Sequence, residues 1–266
     1  MSVVDIHQGG SPIILGLPHT GTDVPPDIWE RLNDNGQLLA DTDWHIHELY
    51  AGLLSDATTV RATFHRYVID ANRDPSGTSL YPGQNTTGLV PETDFDGEAI
   101  WKEGEAPTEE DIAYRLQHFH APYHAALAAE IDRVKAIHGV AILYDCHSIR
   151  SHIPFLFEGK LPDFNIGTDM GKTCDPAVEA IAVDVTSAAE GYTSILNGRF
   201  KGGWTTRHYG QPDKGVHAIQ MELAQCTHLK TETPPFAYDD DKAAKLRTHL
   251  KTILTRMEDF ALALRP

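Results

Sequence analysis

The stretch GVAILYDCHSIRS, residues 139–151, decides the architecture, because an apolar run passes without a break into an acid, a histidine, a hydroxyl and an arginine. A continuous apolar segment such as residues 140–144 is the pattern of a strand buried on both faces, found where helices cover both sides of a sheet. In open α/β sheets ligands bind beyond the carboxyl ends of the strands. Asp145, Cys146, His147 and Ser148 therefore stand where chemistry collects.

Working outward, SPIILGLPH reads as a buried strand ending at Pro18 and His19. Asp41 and Thr42 are placed to cap a helix with the stripe Ile46, Leu49, Tyr50, Leu53 and Leu54. A second strand is expected in RATFHRYVID, and residues 75–91, rich in Gly, Pro and Asn, form a long loop of a kind that often acts as a lid. Thr108 and Asp111 open a helical region that Pro122 should break, with a second helix running to Gly139. On the carboxyl side Asp175 and Pro176 start a helix that stops at Gly191, YTSILNGRF and GVHAIQMEL read as strands, and the segment from Asp239 is a packing helix. This predicts one α/β domain over residues 1–266, with a mostly parallel or mixed central sheet and helices on both faces.

Lys and Arg number 22 against 38 Asp and Glu, a formal net charge of -16 that repels nucleic acid and anionic lipid. MSVVDIHQGG has no basic region before a long apolar stretch, and no run approaches the roughly 18 apolar residues of a membrane span. No nucleic acid or membrane partner is expected, and the setting expected is the cytoplasm. Cys146, Cys174 and Cys226 lack CxxC spacing, which excludes a disulfide framework and a cysteine zinc knuckle.

Polar groups follow the apolar runs at His19, at Asn72 and Arg73, at Asp145 to Ser148, and at Glu222. Two histidines at separate strand ends with acids nearby suit a catalytic zinc with about three protein ligands and a position left for water. One such histidine alone is more often a hydrogen-bonded structural residue. Asp145, two residues from His147, is placed to hold a second ring nitrogen. His120 and His124 have helical i, i+4 spacing, but Pro122 lies between them and no HExxH is present, so they are read as non-ligands. His45 and His47, two apart, point in different directions on a helix. Arg66, Arg73, Arg150, Arg199 and Arg207 lie in or beside strand-end segments, where guanidinium groups suit a small anionic substrate. The competing explanation is pairing with acids such as Asp70 and Asp74.

PHTGTDVP, DTDWHIHELY, RYVIDANRDPSG, Leu80 with Tyr81, DCHSIRS, LPDFNIGT, NGRFKGGWTTRHYG and HAIQMELAQ, in that order, resemble the motifs of the N-formylglutamate amidohydrolase family. The resemblance implies hydrolysis of an N-formyl-L-glutamate amide to formate and L-glutamate in histidine degradation, on a zinc-carboxypeptidase-like fold. It implies two histidines and one carboxylate on zinc, with cobalt or manganese as alternatives, and a glutamate acting on the water. His19 and His147 match the histidines and Glu222 the glutamate. The HxxE pair of aspartoacylase-like enzymes is broken here, since Thr22 stands third after His19. The carboxylate is expected from DTDW, with Asp43 preferred to Asp41, the better cap by position, and Asp23 a third candidate. Arg66 or Arg207 is expected at the oxyanion, and Asn72 with Arg73, and Arg150, at the substrate carboxylates. Rival readings are an amidohydrolase for another N-acyl amino acid or small peptide, and a non-catalytic anion binder of the same fold.

Overall fold

Side chains alternate along a strand, so a strand whose residues are all apolar needs cover on both faces. The computed structural model, which describes residues 2–80 and 83–264, meets that need with one seven-stranded sheet. In chain order the elements are β1 (Val4–His7), β2 (Ile13–Leu17), α1 (Pro26–Trp29), α2 (Ile46–Tyr50), β3 (Thr58–Ala62), α3 (Glu109–Arg115) and α4 (Ala121–His138). They continue as β4 (Ala141–Ile149), β5 (Phe164–Gly167), α5 (Pro176–Ser187), β6 (Ser194–Leu196), α6 (Trp204–Tyr209), β7 (Val216–Ala224) and α7 (Asp240–Ala263).

The strand order is β1-β3-β2-β4-β7-β5-β6. β3, β2, β4 and β7 run parallel, while β1 and β5 are antiparallel to β3 and β7, so the sheet is mixed. Ile13, Leu15, Ile142, Tyr144, Ile219 and Met221 pack on one face against Leu49 of α2, Val178 of α5 and Leu250 and Leu254 of α7. Ile14, Ala141, Leu143 and Ala218 face the other way, against Tyr123, Leu127 and Val134 of α4. Period-two alternation in three strands thus splits the core into two layers, as the α/β reading requires. No helix is long and apolar enough to cross a membrane, among the described residues.

Several expectations need correction. The strand sought in RATFHRYVID ends at Ala62; Tyr67, Val68 and Ile69 are fully buried, yet they lie in a turn closed by the Val68 N–H on the His65 carbonyl at 2.9 Å. Their burial comes from packing rather than pairing, which an apolar run cannot distinguish. Asp41 caps nothing: α2 has only five residues and begins after His45, whose φ of 59° breaks the helical path. Pro122 does not break its helix. A π-helical turn, Leu116–His120, joins α3 to α4, and Pro122 sits in the first turn of α4, where a missing N–H costs little. β4 runs on to Ile149 because β7 pairs with it from Ala141↔Val216 to Ile149↔Ala224. β1, β5 and α6 are elements that the sequence did not announce; β1 and β6 are short, largely exposed edges and β5 has only four residues. The described part of residues 75–91 carries no helix or strand, as expected, and Tyr81 lies outside the described residues.

Candidate metal centre

The face of β4 that presents Ala141 and Leu143 to the α4 layer presents Asp145 and His147 at the next two positions of the same parity. β7 behaves alike, with Ala218 followed by Gln220 and Glu222, and the register sets Asp145 beside Gln220 and His147 beside Glu222. Parallel pairing makes neighbours of two polar couples at the carboxyl end of the sheet. β2 stops at Leu17, and Pro18 carries His19 onto the same rim. The His19 carbonyl accepts the Asp43 N–H at 3.0 Å, which draws the loop before α2 into place.

His19, Asp43 and His147 form the one group able to hold a metal ion among the described residues, with donor atoms within 4.8 Å of one another. Asp43 Oδ2 lies 3.2 Å from His147 Nδ1 and 3.8 Å from His19 Nδ1. A tetrahedral ion with ligand distances of about 2.1 Å separates its ligands by roughly 3.4 Å, which these values bracket. Behind the pair, His19 Nε2 contacts Asp70 Oδ1 at 2.6 Å and His147 Nε2 contacts Asp145 Oδ1 at 3.0 Å. Each ring thus turns Nδ1 inward and has a carboxylate beside its other nitrogen, as a hydrogen bond at His19 and as an ion-pair contact at His147, the surroundings that metal-binding histidines ordinarily have. Ser148 N–H donates to Asp43 Oδ2 at 3.2 Å.

The charges point the same way. Asp43, Asp70, Asp145 and Glu222 are all buried around this group, where Arg66 is the buried guanidinium that faces them, so a cation would relieve their mutual repulsion. Burial lowers the pKa of His19, helped by the charge of Arg66 and opposed by Asp70. Burial acts downward on His147 too, but Asp145 and Asp43 outweigh it and raise the pKa well above the usual imidazole value. Glu222 is pushed up to about 8, first by burial, with His147 and Arg66 pulling against it. The donor set fits a divalent ion of the zinc class.

A cleft opens over this group, lined by Arg66, Asn72, Arg73, Arg199, Gln220 and Glu222 together with Phe95 and Phe200. Arg66 is bound to Asp70 at 2.7 Å and lies over the Phe95 ring at 4.7 Å, so it is paired and yet faces the cleft. Asn72 takes the Thr205 N–H on Oδ1 at 2.8 Å, which turns its amide nitrogen to within 3.2 Å of His147 Nε2. Arg73 donates to the Thr87 carbonyl at 2.9 Å, tying the long loop to the cleft wall. Arg150 and Arg207 do not line the cleft: Arg150 pairs with Asp96 at 2.8 Å and Arg207 with Asp169 at 3.3 Å. Asp41 accepts from the Tyr67 hydroxyl and the Phe95 N–H, each at 2.9 Å, and Asp23 is exposed, so neither joins the histidines. His120 and His124 stand apart from the metal group, each bonded to a backbone carbonyl. Asp70, Gln220 and the wall position of Arg199 went unassigned in the sequence; Asp70 looked like an arginine partner, which it is, but it serves His19 as well.

A model of the N-formylglutamate amidohydrolase family matches residues 11–229. The chain is 48% identical over 254 residues to the N-formylglutamate deformylase of Pseudomonas aeruginosa, covering 95% of this chain and 94% of that protein. It is 46% identical over 253 residues to the enzyme of the same name from Pseudomonas putida, covering 95% of this chain and 94% of that one. Among solved structures, an N-formylglutamate amidohydrolase from Ralstonia eutropha superposes with a TM-score of 0.81 at 22% identity, over 98% of both chains. A gene product of Agrobacterium tumefaciens gives a TM-score of 0.74 at 16% identity, over 98% of this chain and 96% of that one. These two structural likenesses establish the α/β fold. Because the matched span of residues 11–229 contains His19, Asp43, His147 and Glu222, and the likeness to the Pseudomonas proteins runs along 95% of the chain, this chain belongs to the N-formylglutamate amidohydrolase family.

Proposed function

We propose that this chain hydrolyses the formyl amide of N-formyl-L-glutamate to formate and L-glutamate, with a divalent metal, zinc by the donor set, held by His19, Asp43 and His147. The observation that carries this reading is the buried His-Asp-His group opening onto a cleft, with Glu222 beside His147 in register and the deformylases as relatives. Bound there, the metal supplies Lewis-acid polarisation of the formyl carbonyl and acidifies a water. The chain's residues supply the rest. Glu222 takes the proton of the attacking water as the new C–O bond forms, then delivers it to the glutamate nitrogen as the C–N bond breaks. Arg66, held by Asp70 with its guanidinium facing the cleft, stabilises the tetrahedral oxyanion.

Asn72 and Arg73 on one wall and Arg199 on another take the substrate carboxylates, which are remote from the reacting carbon and supply binding energy. In this reading the lining residue Arg199 replaces Arg150 as a carboxylate partner, and Arg66 takes the oxyanion in preference to Arg207, because each replaced residue is engaged with an acid away from the cleft. Parallel assays of N-formylglutamate, N-acetylglutamate and N-formylaspartate test the substrate. Metal analysis with chelation tests the cofactor. Turnover highest on N-formylglutamate, lost on chelation and restored by zinc, is expected; full activity in a metal-free preparation overturns the metal assignment, and preference for the acetyl compound overturns the acyl one.

A further inference from the structure

Asn72 and Arg73 sit in a turn rather than in a strand, so no ladder holds their backbone against the cleft. Asp70 takes their N–H groups, that of Asn72 on Oδ1 at 2.8 Å and that of Arg73 on its carbonyl at 3.2 Å, and two histidines hold the carbonyls on either side of Asn72. His124 Nε2 lies 2.7 Å from the Ala71 carbonyl and His120 Nε2 lies 3.0 Å from the Arg73 carbonyl. A carbonyl only accepts, so both rings carry their proton on Nε2 and donate it. The two bonds bracket Asn72, one peptide before it and one at the residue after it. The rings are neighbours, with centroids 4.4 Å apart, and Trp204 packs against both, at 5.6 Å from His120 and 4.7 Å from His124.

Trp204 is the first residue of α6, whose next residue, Thr205, donates its N–H to the Asn72 side chain. The carbonyls flanking Asn72 and its side chain are therefore held from one neighbourhood, the rings of His120 and His124 and the start of α6 at Trp204. The π-helical turn Leu116–His120 ends on His120 itself, directly before α4, and such rare turns within helices are frequent at functional sites. Burial lowers both imidazoles, His124 to about 3, so both stay neutral single donors at working pH.

We propose that His120 and His124 are positioning residues that hold the Ala71–Asn72–Arg73 turn, and with it the substrate-binding groups Asn72 and Arg73, against the cleft. This rests on the reading of Asn72 and Arg73 as partners of the substrate carboxylates. The mode of action is binding rather than chemistry, since neither ring reaches the metal group or lines the cleft.

The test compares H120L, H124L, H124Q, N72A and R73A as metal-loaded enzymes, with kcat, KM for N-formylglutamate, bound metal and melting temperature measured for each. Expected for the leucine variants is a KM raised on the order of tenfold, the factor of one lost hydrogen bond, with kcat and metal content nearly kept. Glutamine places an amide donor where Nε2 was, so H124Q is expected to recover most of the H124L loss. If N72A and R73A raise KM while both leucine variants leave it in place, the proposal is overturned. If kcat, metal content and melting temperature of the leucine variants fall together with KM unchanged and H124Q recovers nothing, the histidines serve only the fold and the proposal is overturned. If N72A and R73A leave KM unchanged, it is the substrate-binding reading that fails. A crystal structure of H120L and H124L then judges the histidines: a displaced turn at residues 71–73 supports the proposal, and an undisturbed one overturns it.

Discussion

At the scale of single residues, the site is a buried excess of carboxylates arranged around two imidazoles, and its predictions concern single atoms. Glu222→Gln keeps the shape of the side chain and removes the proton acceptor, so kcat should fall by roughly 10²–10⁴-fold with bound metal unchanged. Steady-state kinetics beside metal analysis checks it, and retained turnover would reassign the base. Asp145→Asn weakens the group that orients His147 through Nε2, and metal affinity should drop by roughly 10–100-fold, read by competition with a chelator. Several of these residues were legible in the chain because His19 and Glu222 terminate apolar runs and Asp145 and His147 follow one. Asp70 was not, since its contact with His19 joins positions 51 residues apart and leaves no local mark.

At the scale of elements, the caps at Thr108, Asp175 and Asp239 were readable, while the expected cap at Asp41 and the irregular turns were not. Thr108 and Asp111 form a full capping box, with the Asp111 N–H on Thr108 Oγ1 at 3.2 Å and the Thr108 N–H on Asp111 at 2.8 Å. Thr108→Ala should cost about 1 kcal/mol in urea unfolding with no change in KM, because the cap lies away from the cleft. The start of α6 makes the opposite case. A Cβ on Gly203 would stand 2.3 Å from Asn72 Nδ2, so Gly203→Ala must displace the Asn72 amide from the cleft wall. KM should rise by at least about tenfold, as for any loss of a hydrogen-bonding substrate contact, while melting shows the helix itself intact. The glycines of KGGWTTRHYG give no sign of a helix; α6 starts where Gly203 permits close approach to Asn72, a tertiary reason.

At the scale of the whole molecule, two histidines locked neutral in the interior link stability to pH. His228 donates from Nε2 to the Trp44 carbonyl at 3.0 Å, and burial pushes its pKa down to about 4; His124 is pushed to about 3. Their folded values lie below the unfolded value of 6.5, so their contribution is complete above that pH and is lost as pH falls through the window toward 4. For His228 the span corresponds to about 3 kcal/mol, an upper figure for a buried group. Urea unfolding between pH 7 and 4 should show this decline, and it should be shallower in H228Q, where the donor remains but cannot titrate. An unaltered slope in H228Q would remove His228 from the account.

Periodicity, capping residues and the polar ends of apolar runs are local properties, and they were enough to set the α/β class, the two-sided cover of the sheet, the long helices and the rim on which His19, His147 and Glu222 stand. Convergence is not local. That Asp43 and neither Asp41 nor Asp23 meets the histidines follows from the loop before α2 docking on the His19 carbonyl, and that β4 carries Asp145 to Ser148 as strand follows from β7 pairing along its full length. Which of Arg66, Arg150 and Arg207 faces the cleft likewise depended on the acids near each in space, Asp70, Asp96 and Asp169, pairings that only the folded chain creates.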